Sequence, residues 1–171
     1  MNANDPHPAA IDLEQLLAQC DVRRTRRSGP GGQNRNKVET AVILTHRPTG
    51  LIAEANERRS QGENGRVALN RLRITLAVEV RRPWSLGKAP SLLWQSRCQG
   101  GRINVNPNHD DFPALLAEAL DVLGANGMDL HPAAEHLGCS PTQLTRFLKG
   151  APRALALVNQ ARQQAGLRPL Q

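Results

Sequence analysis

The sequence predicts an α+β protein, with a small mixed or antiparallel sheet and one long helix, followed by a small helical, helix-turn-helix-like module. Three patterns predict this class. Two apolar runs, at 40–45 and 51–56, flank a turn that contains Pro and Gly, which favours a β-hairpin. Apolar residues recur every three or four positions from 60 to 80, which favours a helix. A Gly-containing break at 137–140 separates two further helical patterns.

The length of 171 residues allows one main core and a small additional module. We expect a first domain over residues 1–82, a connector over 83–108 and a helical module over 109–171. The connector is expected because its Gly and Pro residues and its two Trp residues follow no clear periodicity.

The first domain is expected to begin with a short helix, because Asp12 can cap apolar residues spaced helically at 13, 16 and 17. Residues 21–27 lack helical periodicity and lead into the loop sequence Ser28-Gly29-Pro30-Gly31-Gly32. Pro and Gly in Arg47-Pro48-Thr49-Gly50 favour a type I turn in the hairpin.

The long helix is expected to carry an apolar face and a separate basic stripe. Its apolar positions are Leu69, Leu72, Leu76 and Val80, and its stripe consists of Arg59, Arg66 and Arg73.

The first helix of the helical module is expected to start at Pro113 and to stop at Gly124. Ser140 and Gln143 form a capping box for the second helix of the helix-turn-helix pattern, and a last helix covers 154–165. Leu144, Phe147 and Leu148 would pack inward. The exposed face would consist of Thr142, Gln143, Thr145, Arg146 and Lys149.

The net charge of +7 indicates a polyanionic partner. Residues 1–102 hold 17 Lys+Arg against 9 Asp+Glu, whereas residues 103–171 hold 5 against 6, so the contact is assigned to the first part. Because nucleic-acid binding needs positive charge, packing is favoured over nucleic-acid contact for the helical module. Only 2% of residues are aromatic, which argues against a base-stacking platform.

Cys20, Cys98 and Cys139 have no paired short spacing, which indicates a reducing compartment and neither disulfides nor a Cys-rich zinc site. His131 and His136 are five residues apart, which does not place two ligands on one helix face, so no metal site is expected. No run reaches the roughly 18 apolar residues of a membrane span. We expect a cytoplasmic monomer without a membrane partner.

The tripeptide Gly31-Gly32-Gln33 is weak evidence by itself, since composition favours an ordinary Gly-rich surface turn. Its surroundings are more specific. The sequence from Arg27 to Asn34, with Asn36-Lys37, Thr40-Ala41-Val42, Thr45-His46, Pro48-Thr49-Gly50, Glu57 and Arg59-Ser60-Gln61, resembles the catalytic domain of class I peptide chain release factors and their stand-alone ribosome-rescue relatives. The order and spacing match over roughly residues 21–80.

The resemblance implies hydrolysis of peptidyl-tRNA by Gly31, Gly32 and Gln33, without a cofactor. The Gln33 backbone N–H would donate to the oxyanion, and its side chain would admit water and exclude larger nucleophiles. Gln33 would also be a site of N5-methylation by a glutamine methyltransferase. The other implied partners are the ribosome, the large-subunit rRNA at its peptidyl transferase centre, and P-site peptidyl-tRNA.

Basic residues surround this loop and are expected to contact rRNA or tRNA phosphates; a solvated charged strand is the plainer alternative. They are Arg23, Arg24, Arg26, Arg27, Arg35, Lys37 and Arg59. Arg35 departs from the family, whose members commonly carry a small apolar residue there. His46 is interpreted as structural, because a lone strand His is more often structural than catalytic.

At 171 residues the chain has no room for codon-recognition domains, so codon-independent release is expected. The nearly neutral residues 103–171 differ from the basic tail of the short rescue hydrolases, which leaves the selection of stalled ribosomes open. Two alternatives also remain: a non-catalytic binder of ribosomes or nucleic acid that retains the loop, and a DNA-binding regulator built on the C-terminal helices.

Overall fold

The computed structural model describes residues 5–26 and 40–171, and these form helices and small antiparallel sheets. The elements are α1 (Leu13–Ala18), β1 (Cys20–Thr25), β2 (Ala41–His46), β3 (Ile52–Ala55), α2 (Gln61–Glu79), α3 (Leu92–Arg97), β4 (Cys98–Gln99), β5 (Arg102–Ile103), α4 (Phe112–Ala125), α5 (Leu130–His136), α6 (Pro141–Lys149) and α7 (Pro152–Gln164). The predicted α+β class is confirmed.

The described residues divide into two compact units. The first unit covers residues 11–76, and the second covers 77–171 together with residues 5–10. The predicted boundaries at residues 82 and 108 stay predictions, because packing into units does not show which segments fold independently.

The first unit contains a three-stranded antiparallel sheet with β2 at its centre. The predicted hairpin is confirmed as β2 and β3, but its turn begins one residue early, with the Thr49 N–H donating to the His46 carbonyl at 3.2 Å. Gly50 follows with φ +70°, a conformation that glycine adopts without steric cost. The expected short helix is confirmed as α1, where the Asp12 carboxylate accepts from the Glu14 N–H at 2.8 Å.

Strand β1 was missing from the sequence interpretation. Its burial pattern is not an alternation, because residues 21–24 are all exposed and only Cys20 is buried. Pairing with β2 determines this strand, from Cys20 opposite His46 to Thr25 opposite Ala41. A pattern of alternate burial could not reveal it, since an edge strand with solvent on both faces has no such pattern.

Helix α2 confirms the predicted long helix, with corrections to both faces. On the predicted apolar face, Val80 lies beyond the end of the helix and Leu69 is only half-buried. The expected basic stripe is interrupted because Arg73 is buried, with 7% of its surface exposed. The fully buried positions recur every four residues at Asn64, Ala68, Leu72 and Leu76.

The second unit orders the segment that the sequence suggested was a connector. Ser91 caps α3 by accepting from the Trp94 N–H, and Trp94 is almost fully buried. Two carboxylates of α4 hold the adjoining backbone, with Glu118 Oε1 accepting from the Ser91 N–H at 2.7 Å and Asp121 Oδ1 from the Arg82 N–H at 3.0 Å. Side chains distant in sequence therefore order a stretch without periodicity.

The helix-turn-helix-like pair is present as α5 and α6. The Ser140 hydroxyl accepts from the Gln143 N–H at 3.2 Å, which is the expected cap. Leu144, Phe147 and Leu148 are buried as predicted. On the opposite face Thr142, Arg146 and Lys149 are exposed, while Gln143 and Thr145 are half-buried.

Candidate functional site

The predicted catalytic tripeptide, Gly31, Gly32 and Gln33, lies outside the described residues, as do Arg27, Arg35 and Lys37. The structure describes the residues on both sides of this segment, up to residue 26 and again from residue 40. They form a base made of β1, β2 and the start of α2.

The strand ends of this base are held together by sheet pairing. Thr25, the last residue of β1, is the antiparallel partner of Ala41, the first residue of β2. The Cα atoms of such partners lie about 4.5–5.5 Å apart. The chain therefore leaves the sheet after residue 25 and returns to it at nearly the same point.

Four of the predicted phosphate-binding cations lie in the described residues, and all four are exposed. Arg23 and Arg24 lie on the edge strand β1, where successive side chains point to opposite faces. Arg26 follows that strand, and Arg59 precedes α2. Three of them thus lie in or directly after the edge strand β1, with Arg23 and Arg24 on opposite faces of it. Their binding to rRNA or tRNA stays a prediction.

Asn64 joins the base of the loop to the segment before α2. Its Nδ2 donates to the Thr40 carbonyl at 2.7 Å and to the Arg58 carbonyl at 3.0 Å. Its Oδ1 accepts from the Arg58 N–H at 2.9 Å. The side chain is fully buried, and both donor hydrogens and the acceptor oxygen are in use. We call Asn64 with its partners Thr40 and Arg58 the Asn64 clamp.

The sequence interpretation missed Asn64, although a signal for it exists. Asn64 occupies the same four-residue repeat as Ala68, Leu72 and Leu76, all of which are buried. A polar side chain on a buried helix face needs hydrogen-bond partners there, because burying it unpaired costs free energy. Asn64 is thus a positioning residue for residue 40, the point at which the chain rejoins the sheet.

An ion pair fixes the segment between β3 and α2. The Arg71 guanidinium donates to both carboxylate oxygens of Glu57, at 2.6 and 3.2 Å, and to the Glu54 carbonyl at 2.8 Å. Hydrogen bonds from the Glu57 and Asn56 backbone N–H groups and from Arg71 hold the pKa of Glu57 below its usual value. Glu57 is therefore a structural hydrogen-bond acceptor for Arg71, two residues before Arg59 in the chain.

His46 is fully buried at the end of β2, and each of its two ring nitrogens is hydrogen-bonded to a side chain. Its Nε2–H donates to Gln19 Oε1 at 3.1 Å, and its Nδ1 accepts from the Thr49 hydroxyl at 2.8 Å. Burial and the neighbouring charge of Arg47 lower the pKa of His46, which favours the neutral ring. These contacts are those of a structural histidine that joins the hairpin turn to residue 19.

Within residues 5–26 and 40–171, no group of three or more His, Cys, Asp or Glu side chains is placed to hold a metal ion. In the same part of the chain, no helix combines the length and the apolar character that crossing a bilayer requires.

The class of this fold is given by a match to a known family. Residues 10–85 match the RF-1 domain, a segment that includes β1 to β3, α2, the Asn64 clamp and the Gly31-Gly32-Gln33 sequence. The predicted resemblance to class I peptide chain release factors is confirmed for these residues, which have the α+β architecture of a release-factor-like domain.

Individual relatives match the same part of the chain. The chloroplastic peptide chain release factor PrfB1 of Arabidopsis thaliana is 48% identical over 69 residues, which are 40% of this chain and 15% of that protein. Peptide chain release factor 1 of Acidiphilium cryptum is 39% identical over 84 residues, 48% of this chain and 24% of that protein. The human mitochondrial peptide chain release factor 1 is 36% identical over 75 residues, 44% of this chain and 17% of that protein. The chain thus spans a quarter or less of the length of these relatives.

Proposed function

We propose that this protein hydrolyses the ester bond of peptidyl-tRNA on the ribosome, without reading a codon, and so releases the nascent chain. The observation that carries the proposal is the RF-1 domain match over residues 10–85, a range that contains the sequence Gly31-Gly32-Gln33. Relatives named peptide chain release factors match the same segment.

The proposed chemistry needs no protein nucleophile. Water attacks the ester carbonyl carbon, and the carbonyl oxygen becomes an oxyanion to which the Gln33 backbone N–H donates. The carbonyl then re-forms, the bond from its carbon to the terminal ribose oxygen of the tRNA breaks, and a proton from the attacking water passes to that oxygen. Gly31 and Gly32 lack Cβ atoms, so they permit close approach of the backbone to the tRNA end. The Gln33 side chain admits water and excludes larger nucleophiles. Side-chain N5-methylation of Gln33 by a glutamine methyltransferase belongs to the same proposal.

The base of the loop supports this chemistry because an oxyanion donor must be positioned in advance. Sheet pairing between Thr25 and Ala41 and the Asn64 clamp restrain both ends of the segment. The exposed cations Arg23, Arg24 and Arg59 would interact with phosphates of large-subunit rRNA around the peptidyl transferase centre or of P-site peptidyl-tRNA.

The first test is peptide release from ribosomes stalled on a message that lacks a stop codon. The wild-type protein should free the peptide, and Gly32→Ala should reduce the rate by about a hundredfold or more. Gly65→Ala is the matched control, because a Cβ at this position in α2 meets no other atom within 4 Å. Equal rates in wild type and Gly32→Ala would overturn the mechanism.

Codon independence has its own measurement. Ribosomes with an empty A site, a sense codon or a stop codon are compared at equal protein concentration, and a stop codon should give no acceleration. A clear preference for a stop codon would contradict this part of the proposal. Ribosome binding without any release by wild type would instead favour a non-catalytic binder.

A further inference from the structure

A groove of about 1060 Å³ lies within the second unit. One wall is the segment 96–107, which includes β5, and the other is α6 with Gly150. We call it the α6 groove. It lies outside residues 10–85, which match the RF-1 domain, and its purpose is not explained by peptide release.

The lining of the α6 groove is cationic and rich in hydrogen-bonding groups. It includes Arg97, Arg102 and Arg146 and four carboxamide side chains, among them Asn104 and Gln143, but no Asp or Glu. Arg97 and Arg102 come from the basic residues 1–102, and Arg146 comes from the nearly neutral residues 103–171. Folding thus collects three cations along a lining without carboxylates.

Two of these cations have no counter-charge in the described part of the chain. Arg97 is paired, with its Nη2 2.7 Å from Asp111 Oδ2. Arg102 and Arg146 are exposed and form no ion pair with any described residue. A bound anion would supply both arginines with a counter-charge.

The arrangement along the segment suits a polymer better than a single ion. Residues 102, 104 and 106 are exposed, while 103 and 105 are half-buried, which is the alternation of extended chain. All six residues from 102 to 107 line the groove, so the polar side chains of Arg102, Asn104 and Asn106 follow one continuous stretch of chain. Such a row can contact successive units of a strand through charge and through amide hydrogen bonds.

The walls of the groove are held by close packing and a backbone contact. At Gly150, an added Cβ would lie 2.9 Å from Pro107 Cγ and 3.1 Å from Phe112 Cζ. The Ser140 N–H, at the start of α6, donates to the Gly101 carbonyl at 3.4 Å. The groove is thus formed by ordered segments before any ligand arrives, which lowers the entropic cost of binding.

We propose that the α6 groove binds single-stranded RNA. Arg102 and Arg146 contact its phosphates, and Asn104 and Gln143 hydrogen-bond to base edges or 2′-hydroxyls. The proposal does not depend on peptide release, and it assigns the second unit a role in RNA contact.

The test is fluorescence anisotropy with a short labelled single-stranded RNA and the full chain. Arg102→Gln and Arg146→Gln should each weaken binding about tenfold, because each removes a charge-assisted hydrogen bond. Lys149→Gln is the matched control: it removes the same charge from an exposed position of α6 that does not line the groove, and should change affinity less than about twofold. Arg146→Gln should also lower the slope of log affinity against log salt concentration, by about the contribution of one phosphate contact.

The titrations are repeated in an Arg23→Gln, Arg24→Gln background, so that RNA contacts of the first unit do not obscure those of the groove. Gly32→Ala should bind RNA like wild type, which separates this result from the outcome for release. Competition by a free mononucleotide at similar concentration would show that the groove takes a single nucleotide and not a strand, and would overturn the strand assignment. Equal losses in Arg146→Gln and Lys149→Gln, or no RNA binding, would overturn the proposal.

Discussion

The two units hold their irregular backbone with different chemistry. In the first unit, the neutral amide of Asn64 binds the backbone at residues 40 and 58. In the second unit, the carboxylates of Glu118 and Asp121 bind backbone at residues 91 and 82. In each case one buried polar face of a helix orders a segment whose own sequence has no regular pattern.

The difference lies in what each anchor does when the pH changes. An amide does not titrate, so the Asn64 clamp has the same charge at every pH. The second unit contains ionisable anchors: burial raises the pKa of Asp121, while the nearby Arg81 charge opposes the increase. Burial also lowers the pKa of His7 to about 4. Protonation of the buried His7 ring should therefore destabilise the second unit in acid, whereas the raised pKa of Asp121 acts in the opposite direction and the Asn64 clamp does not titrate.

The largest expected effect is the loss of stability caused by protonation of His7. Its Nε2–H donates to the Val80 carbonyl at 2.9 Å, and its Nδ1 accepts from the Ala9 N–H at 3.0 Å. Only the neutral ring can form both hydrogen bonds, because a protonated Nδ1 cannot accept. Because the pKa is about 4 in the folded state and 6.5 unfolded, the contribution is complete above pH 6.5 and is lost as the pH falls towards 4. The decrease in unfolding free energy amounts to about 3 kcal/mol.

Urea unfolding of wild type and His7→Gln at several pH values measures this contribution. Between pH 6.5 and 4, the unfolding free energy of the variant should fall less steeply than that of wild type. The difference in slope should correspond to about one proton. If the unfolding free energies of the two proteins depended on pH in the same way, His7 would not be the pH-sensitive anchor.

A slightly smaller effect is expected at the clamp. Asn64→Ala leaves the Thr40 carbonyl and both Arg58 backbone groups without their partner, which should lower the unfolding free energy by about 2 to 3 kcal/mol. Asn70→Ala, at a half-buried position of the same helix, should change it by less than about 0.5 kcal/mol. Similar losses from the two variants, measured by urea unfolding, would show that the clamp is not an anchor.

Gly150 tests the packing of the second unit. Gly150→Ala places a Cβ within 3.1 Å of Pro107 and Phe112, so the unfolding free energy should fall by about 1 to 2 kcal/mol. RNA affinity should fall as well if the displaced residue 107 widens the α6 groove. A thermal unfolding midpoint equal to that of wild type would mean that Pro107 and Phe112 can shift to accommodate the Cβ without loss of stability.

The smallest effect has the opposite sign. Gly65→Ala fills open space in the interior of α2 and should stabilise the protein by about 0.5 to 1 kcal/mol through helix propensity. A loss of stability in thermal unfolding would show that the start of α2 needs the smaller residue. The measurement also validates this variant as the control for Gly32→Ala.

The parts of the fold that the sequence predicted are those with local signals. Helix α1 has a capping Asp12, α6 has Ser140 before it, and α2 repeats its apolar residues at the helical period. Each signal acts within a few residues, so the pattern and the element coincide. Strand β1 and helix α3 have weaker local signals and were missed, because pairing with β2 and contacts with α4 supply their order.

For the candidate site, the order of the motifs predicted the resemblance that the RF-1 domain match confirms over residues 10–85. The roles of Gly31, Gly32 and Gln33 stay predictions, and the described residues add the Asn64 clamp beneath them. Periodicity marked the buried face of α2 but could not name the partners of Asn64, since residue 40 is 24 positions away in the chain.

The sequence by itself determined the α+β class, the main helices and the register of the release-factor-like motifs, because these depend on spacing along the chain. Only the tertiary structure decided that Arg73 is buried, that Asn64 binds residue 40, and that Arg102 and Arg146 line one groove. The physical reason is that burial and charge pairing depend on distance in space. Arg102 and Arg146 are far apart in the chain, so only folding can place them on the same groove.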